Sequence, residues 1–248
     1  MKNSELIEHA STDMLDDRKN LISGEADHLF SDTLIARYLS EAENILARRA
    51  WVLEDIGATC ATRIQLKENK ADYPLDASVL FVKSVRLSDS DIDLSRVGYD
   101  DNRPRRAIDQ HPDSWDVNAP YIENPGRPSQ FSTDTGNRNI RIRQKPDAAS
   151  ALLKLHLIVV RLPLEKISVE RGDSSPEIPE EYHLDLASYA AGKCLSRPTV
   201  DAELRTLGRG WIKDFETRVA EARRDKQRFS QSQPRHRFGG WAQGPDNA

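Results

Sequence analysis

The hydrophobic pattern of this chain changes its period twice, and this change limits the possible folds more than any other feature. From Ser31 to Ala50, apolar residues recur every three to four positions, as on one face of a helix. Between residues 59 and 163 the spacing falls to two, which is typical of strands. After Pro179 the helical spacing returns. This order predicts an α+β fold, in which a helical bundle built from N- and C-terminal helices carries an inserted antiparallel β domain and extended terminal arms.

The first helical region has recognisable end signals. Ser31 is a residue type that caps helix N-termini, Asp32 follows it in the first turn, and Gly57 lies after the region. A glycine after a helix commonly closes it in the left-handed conformation. We therefore expect a helix that begins at Ser31 and is followed by Gly57 at its C-terminal end.

The last helical region is predicted to form one long helix with a single buried face. Gly208 and Gly210 weaken its middle, because glycine is a poor helix former. We expect Trp211 and Phe215 to pack against the stripe of the first helix, around Tyr38 and Leu39. The residues of the predicted buried face are Val200, Leu204, Leu207, Trp211, Phe215, Val219 and Ala222.

Four segments alternate or are rich in β-branched residues, and each is predicted to be a strand: 62–66, 78–87, 139–143 and 152–162. The last is long enough for a central strand. Residues 88–138 contain five prolines and few apolar residues, so we interpret them as a long elaboration on the sheet. The predicted division is an acidic N-terminal arm (1–28), a helical domain (29–58 and 177–229), an inserted β-rich domain (59–176) and an extended C-terminal docking arm (230–248).

Charge is distributed unequally between the two ends. The whole chain of 248 residues has a net charge of −4, but residues 1–32 contain eight acidic and three basic side chains. Residues 217–248 contain seven basic and three acidic ones. Such asymmetry indicates interaction segments. The C-terminal segment also combines aromatic residues with arginine, as interface hot spots do. We expect a partner-binding arm that uses Phe229, Arg235, Arg237, Phe238 and Trp241.

Known catalytic and ligand motifs are missing from the sequence. It contains no Gly-rich phosphate loop, no His and Cys at zinc spacing and no nucleophile elbow. Asp89, Asp91 and Asp93 are spaced like half of a calcium loop, but Leu94 stands where the turn needs glycine. They are interpreted as a solvated strand end, with a bound cation left open. We predict no enzyme activity, no metal and no cofactor.

The sequence also has no feature of a membrane or secreted protein. No apolar run approaches the length of a membrane span, and the N-terminus lacks the apolar core of a signal peptide. Cys60 and Cys194 form no CxxC pair, which fits a reducing cytoplasm and leaves a single bridge open. We therefore expect no membrane partner.

The order of these segments resembles tailed-phage head-to-tail adaptor (connector) proteins, from the opening helix to the return of the helices after the strands. The segments that carry the resemblance are 30–43 (FSDTLIARYLSEAE), 48–50 (RRA), 73–80 (YPLDASVL), 140–147 (IRIRQKPD), 155–163 (LHLIVVRLP) and 176–186 (PEIPEEYHLDL). The acidic N-terminal segment and residues 88–138 are not part of this pattern.

The resemblance implies a structural virion protein. Copies would form a dodecameric ring at the neck, between the portal protein and the tail nozzle or tail-tube proteins, after assembly in the host cytoplasm. Genomic DNA would pass through the lumen during ejection, without sequence-specific contacts. The low hydrophobic content, 38%, predicts a monomer or weak oligomer in the absence of the portal.

Two other functions stay open at this point. The basic C-terminal segment could belong to a nucleic-acid-binding module, although the pI near 5.9 and the lack of a known reading motif argue against it. A hydrolase site could also be assembled from dispersed residues such as His111, Asp113 and Asp116.

Overall fold

The structure, a computed structural model, describes residues 1–16, 29–97, 125–133 and 138–232. Its helices are α1 (Asn3–Glu8), continued by a π-helical turn (His9–Met14), α2 (Asp32–Ala50), α3 (Thr59–Thr62), α4 (His183–Leu195) and α5 (Ala202–Ser232). Its strands are β1 (Glu54–Asp55), β2 (Arg63–Gln65), β3 (Asp72–Pro74), β4 (Val79–Leu87), β5 (Ser95–Arg96), β6 (Gln130–Ser132), β7 (Asn139–Arg143) and β8 (Lys154–Arg161). Helices and sheets coexist in this order, so the α+β class is confirmed.

Helix α2 begins as predicted and ends differently. The backbone N–H of Leu34 donates to Ser31 Oγ at 3.3 Å, which confirms the N-cap. At the other end the helix stops at Ala50, and Trp51 takes the left-handed conformation with φ 59° and ψ 34°. The expectation that Gly57 closes this helix is therefore wrong. A tryptophan in this conformation is strained, and contacts of its ring, described below, offset that strain.

The helical bundle has its own apolar core. Helices α2, α4 and α5 pack on one another, and α1 with its π-helical turn covers α2 and α4. The ring of Phe215 is buried and lies 4.8 Å from the ring of Tyr189, centroid to centroid. Trp211 is half-buried against the same core. The prediction that Phe215 is a core residue is confirmed.

The first part of α5 departs from the predicted stripe. Leu204 and Leu207 are exposed, so their assignment to the buried face is wrong. The cause is a close crossing of α4 and α5 at Gly192 and Gly208. A Cβ added to Gly208 would lie 2.7 Å from the carbonyl oxygen of Gly192, a distance that a side chain cannot adopt. Gly208 is therefore a contact point between two helices, and the buried line of α5 runs through it to Phe215.

The strands form two four-stranded sheets with a common apolar core. In the first sheet, β8 is central, since it pairs antiparallel with β1, β2 and β4. The second has the order β3-β7-β6-β5. The central position predicted for residues 152–162 is confirmed, and Asn139–Arg143 forms the strand expected there. The prediction that all strands pair antiparallel is wrong for β5 and β6, which pair parallel.

Part of the 88–138 segment takes part in the second sheet. Ser95–Arg96 and Gln130–Ser132 form the parallel pair at its edge, with Phe131 fully buried. A single anchor of this kind in a Pro-rich segment gives no periodic signal, which is why the pattern alone did not show it. Residues 98–124 and 134–137 lie outside the described residues.

The described part of the predicted acidic N-terminal arm, residues 1–16, packs on the bundle. Residues 3–14 are helical, and Leu6, Ile7 and Ala10 are buried against α2 and α4. Burial of these apolar side chains removes them from water and holds the segment on the bundle. Its acidic side chains stay exposed. The division of the chain into domains stays a prediction.

Candidate interaction surface

The residues predicted to bind a partner fall at the C-terminal limit of the described chain. Phe229 belongs to α5, which continues to Ser232, so the predicted start of the arm at residue 230 is still helical. Arg235, Arg237, Phe238 and Trp241 lie outside the described residues. Their role in partner binding stays a prediction.

A stacked column of aromatic rings and arginines lies where the bundle meets the sheets. The ring of Trp51 lies parallel to that of Phe81, with centroids 6.3 Å apart and planes 7° apart. The guanidinium carbon of Arg223, on α5, is 5.4 Å from the Trp51 ring. That of Arg96, on β5, is 4.8 Å from the Phe81 ring. The four side chains, named here the aromatic column, join α5, the end of α2 and both sheets.

The aromatic column is partly open to solvent. Trp51 is 41% exposed and Phe81 is 38% exposed, so part of each side chain stays accessible to a partner. Contacts between cations and exposed aromatic rings contribute about 0.5–1 kcal/mol each. Rigid aromatic rings beside arginine are the composition of interface hot spots. A strained Trp51 at such a place marks the column as a candidate contact for a partner.

Beside the column, a pair of lysines holds α5 over the first sheet. Glu54 Oε2 accepts from Lys83 Nζ at 2.9 Å, and Glu54 Oε1 accepts from Lys226 Nζ at 3.3 Å. Burial alone would raise the pKa of Glu54, but the two lysines hold it below its usual value. The carboxylate therefore stays charged and links β1, β4 and α5.

A buried ionic network connects the bundle and the first sheet at a second place. Arg161, at the end of β8, donates from Nε to Asp55 and from Nη1 to Glu177. Glu177 also accepts from the backbone N–H groups of Leu164 and Glu165 at 2.7 and 2.8 Å. This arginine, 7% exposed, thus binds two carboxylates on different segments. We name Glu43, Asp55, Arg161 and Glu177 the buried network.

Glu43 connects the buried network to helix α2. Its Oε1 accepts from the backbone N–H of Glu177 at 2.9 Å, and the side chain is 1% exposed. Burial raises the pKa of Glu43 to about 7, with the nearby charge of Glu177 acting in the same direction. Burial would likewise raise the pKa of Asp55, but hydrogen bonds from Arg161 and two backbone N–H groups hold it low. Burial thus favours the protonated form of Glu43, whereas the hydrogen bonds of Asp55 favour its charged form.

The candidate metal residues Asp89, Asp91 and Asp93 belong to the described part of the chain, and the candidate catalytic residues do not. Within the described residues, no three or more His, Cys, Asp and Glu side chains come together as a metal site. Asp89 forms an ion pair with Arg127 at 3.1 Å, and the backbone of Asp93 forms an isolated antiparallel β-bridge with that of Arg86. His111, Asp113 and Asp116 lie outside the described residues. None of the described helices is both long enough and apolar enough to cross a bilayer.

Sequence reasoning missed the residues that join the bundle to the sheets. Arg161 is a single charge at the end of an apolar strand, which is a signal that it needs a buried partner. The partner, Asp55, is 106 residues away, and no local pattern identifies it. Trp51 follows the predicted first helix and Phe81 lies within the predicted strand 78–87, and at such positions an aromatic residue can belong to the core or to the surface.

A comparison with models of known protein families identifies a relationship. The model of a family described as SU10 adaptor protein matches residues 1–238, which include both helical regions, the strands and the N-terminal helix. No curated protein matches the chain. The match extends beyond the segments that carried the resemblance and covers the acidic N-terminal part as well. The chain belongs to the SU10 adaptor protein family, a family of phage head-to-tail adaptors.

Proposed function

We propose that this chain is the subunit of a ring that joins the portal to the tail of a phage. Twelve copies would match the symmetry of the portal at the neck of the virion, with tail nozzle or tail-tube proteins on the other side. Genomic DNA would pass through the lumen without sequence-specific contacts. Assembly would take place in the host cytoplasm. The observation that carries the proposal is the family match over residues 1–238.

The junction between bundle and sheets supports a role between two larger assemblies. Such a subunit must present its two ends at a fixed angle, and directional contacts fix an angle better than apolar ones. Charged hydrogen bonds are directional, and the buried network and Glu54 provide them on both sides of the junction. The family has a structural role, and the proposal includes no catalytic activity and no cofactor.

We place the portal contact on the C-terminal arm. Phe229, Arg235, Arg237, Phe238 and Trp241 combine aromatic anchors with arginines that bind carboxylates. A segment that becomes ordered on binding loses conformational entropy, so its aromatic anchors must supply most of the compensating burial.

Truncation of the arm tests this proposal. A chain that ends at Ser232 keeps all of α5 and should keep its melting temperature, but it should no longer bind portal rings in a pull-down assay. Phe238→Ala with Trp241→Ala should reproduce most of that loss. Arg235→Gln with Arg237→Gln is the matched pair and should weaken binding only in part. Unchanged portal binding by the truncated chain would contradict the docking role of the arm.

The same variants separate the adaptor from the nucleic-acid alternative. A DNA-binding tail depends on charge, so its affinity falls steeply as salt rises. If the arginine pair is decisive, the aromatic pair has no effect, and the full chain shifts DNA at low salt, the segment is a nucleic-acid contact. Absence of any portal binding by the full-length chain would contradict the adaptor proposal as a whole.

A further inference from the structure

The outward side of α5 carries exposed basic residues without acidic partners. Arg209, Lys213 and Arg224 are exposed, and within the described parts of the chain no carboxylate forms an ion pair with them. Arg224 follows the buried Phe215 by nine residues, about two and a half helical turns, so it points away from the bundle. Lys213 and Arg224 are eleven residues apart, about three turns, and share that side. These three side chains are named the basic face.

Three of the five acidic residues of α5, Glu216, Glu221 and Asp225, pair with arginines outside the basic face, whereas Glu203 and Asp214 form no ion pair within the described residues. Glu216 contacts Arg49 of α2 at 3.8 Å, and Glu221 contacts Arg218 at 3.2 Å. None of these five acids forms an ion pair with Arg209, Lys213 or Arg224, so the basic face has no direct acidic partner in its own copy. An exposed like-charged stripe of this kind attracts an acidic surface.

A shorter acidic surface lies on the N-terminal helix and the turn that continues it. Glu5 and Glu8 of α1 and Asp13 of the π-helical turn are exposed, and residues 1–16 contain four carboxylates against one lysine. Leu6, two residues before Glu8 and so on the opposite side of the helix from it, is buried and packs in the bundle core. Glu5, Glu8 and Asp13 are named the acidic face.

The two faces lie on opposite sides of the bundle. His183 Nδ1 is 3.3 Å from the N-terminal nitrogen of Met1, so this side of α4 faces α1. Gly192 contacts Gly208, so that side of α4 faces α5. Nine residues separate His183 and Gly192, about two and a half turns, which places them on opposite sides of α4. The basic and acidic faces of one copy therefore look away from each other.

We propose that the basic face of one copy binds the acidic face of the next. Two different, complementary surfaces on opposite sides of a subunit form a head-to-tail contact, which closes into a ring when the rotation between copies allows it. The inference rests on the proposed adaptor ring and assigns the surfaces that join its subunits. Exposed charge pairs give orientation and specificity more than affinity. The contact is therefore weak between free copies and forms when the portal holds them side by side.

Charge reversal on each face tests the pairing. Variant A carries Lys213→Glu with Arg224→Glu, so both of its faces are acidic. Variant B carries Glu8→Lys with Asp13→Lys, so both of its faces are basic. Mass photometry measures the fraction of portal rings that carry a complete ring of this protein. For each variant alone this fraction should be at least about tenfold lower than for the wild type, because like charges would face each other between neighbouring copies. An equimolar mixture of A and B should restore filled rings, since A and B then alternate. Arg63→Glu with Lys154→Glu, two exposed residues on the first sheet, is the charge-matched control and should assemble as the wild type does.

The outcomes separate this inference from the proposed function. If A alone fills rings as the wild type does, or if the mixture of A and B fails as each variant does, the assigned faces are wrong while the adaptor ring stands. If the wild type binds no portal, the proposed function itself fails. Loss of a DNA mobility shift by A, with ring assembly intact, would assign the basic face to nucleic acid and overturn the inference. Circular dichroism of A and B confirms that both fold.

Discussion

The core of the helical bundle and the junction between the bundle and the sheets are held by different kinds of contact. In the bundle, apolar side chains meet around Phe215, and α4 approaches α5 closely enough for backbone contact at Gly192 and Gly208. At the junction, carboxylates, an arginine and the aromatic column connect the bundle to the sheets. Apolar burial is non-directional and provides stability. Buried ion pairs stabilise little compared with an apolar replacement, but they fix one geometry. The comparison indicates that the bundle core provides most of the stability, whereas the junction fixes the angle between the bundle and the sheets.

The strongest test of this comparison removes the central cation of the junction. Arg161→Gln leaves Asp55 and Glu177 without their common partner, next to Glu43. Removal of one partner from a buried ion pair costs about 3–5 kcal/mol, because the remaining charge stays buried and unpaired. Urea denaturation followed by circular dichroism measures this loss in the free energy of unfolding.

A matched control exists for this variant. Arg171 pairs with Glu165 at 2.6 Å, but both side chains are more than half exposed. Arg171→Gln should cost less than about 1 kcal/mol, since exposed ion pairs contribute little. If both variants lose the same free energy of unfolding, the buried network stabilises the protein no more than an exposed ion pair does.

The second test uses pH to change the charge of Glu43. Burial raises its pKa to about 7 in the folded chain, above the ordinary glutamate value of 4.5. Between these two pH values the folded state keeps a proton that the unfolded state has lost, so stability falls as pH rises. Glu43→Gln cannot ionise, and its amide oxygen can still accept from the backbone N–H of Glu177.

We therefore expect Glu43→Gln to gain stability over the wild type as pH rises from about 4.5 to about 7. The gain should reach about 3 kcal/mol and then stay constant, since one pKa unit corresponds to about 1.4 kcal/mol. Thermal melts of both proteins across this range measure it. Parallel curves at all pH values would show that the Glu43 carboxylate is charged at neutral pH, held by Arg161.

The third test addresses the bundle. Gly208→Ala places a Cβ 2.7 Å from the Gly192 carbonyl oxygen and 2.8 Å from Leu195 Cβ, so the two helices must separate. Such overpacking costs about 1–3 kcal/mol. Gly210→Ala is the control on the same helix, since its Cβ would meet nothing within 4 Å. It should stabilise the protein by about 0.5–1 kcal/mol, because alanine forms helices better than glycine. A gain in both variants would contradict the close crossing.

Local features of the fold could be predicted because they depend on neighbouring residues. The cap at Ser31 and the strand Asn139–Arg143 follow from side-chain chemistry and spacing within a few positions. The buried position of Phe215 follows from helical spacing, which held over the second half of α5. It failed for Leu204 and Leu207, because the backbone contact at Gly208 moves the buried line away from them.

The candidate surface could not be predicted in the same way, since its contacts join distant parts of the chain. Arg223 reaches Trp51 from 172 positions away in sequence, a distance shared by the Lys226 and Glu54 pair. Whether a glycine is a helix breaker or a crossing point also depends on the opposite helix, as Gly192 and Gly208 show. The acidic N-terminal end was visible as charge, but of the basic face only Arg224 lies in the basic segment 217–248. The position of that face opposite the acidic one required the places of α1 and α5 around α4.

The smallest effect, and the one that separates strain from contact at the junction, concerns Trp51. Its left-handed backbone, φ 59°, is strained for any residue with a Cβ, and the column contacts with Phe81 and Arg223 offset this strain. Trp51→Ala loses the contacts and keeps the strain, whereas Trp51→Gly loses the contacts and removes the strain. We expect the glycine variant to be more stable than the alanine variant by about 1 kcal/mol in urea denaturation. Arg223→Ala, which removes one cation from the column, should cost about 0.5–1 kcal/mol. An alanine variant as stable as the glycine variant would mean that the backbone at this position relaxes once the ring is removed, so that the column itself holds Trp51 in its left-handed conformation.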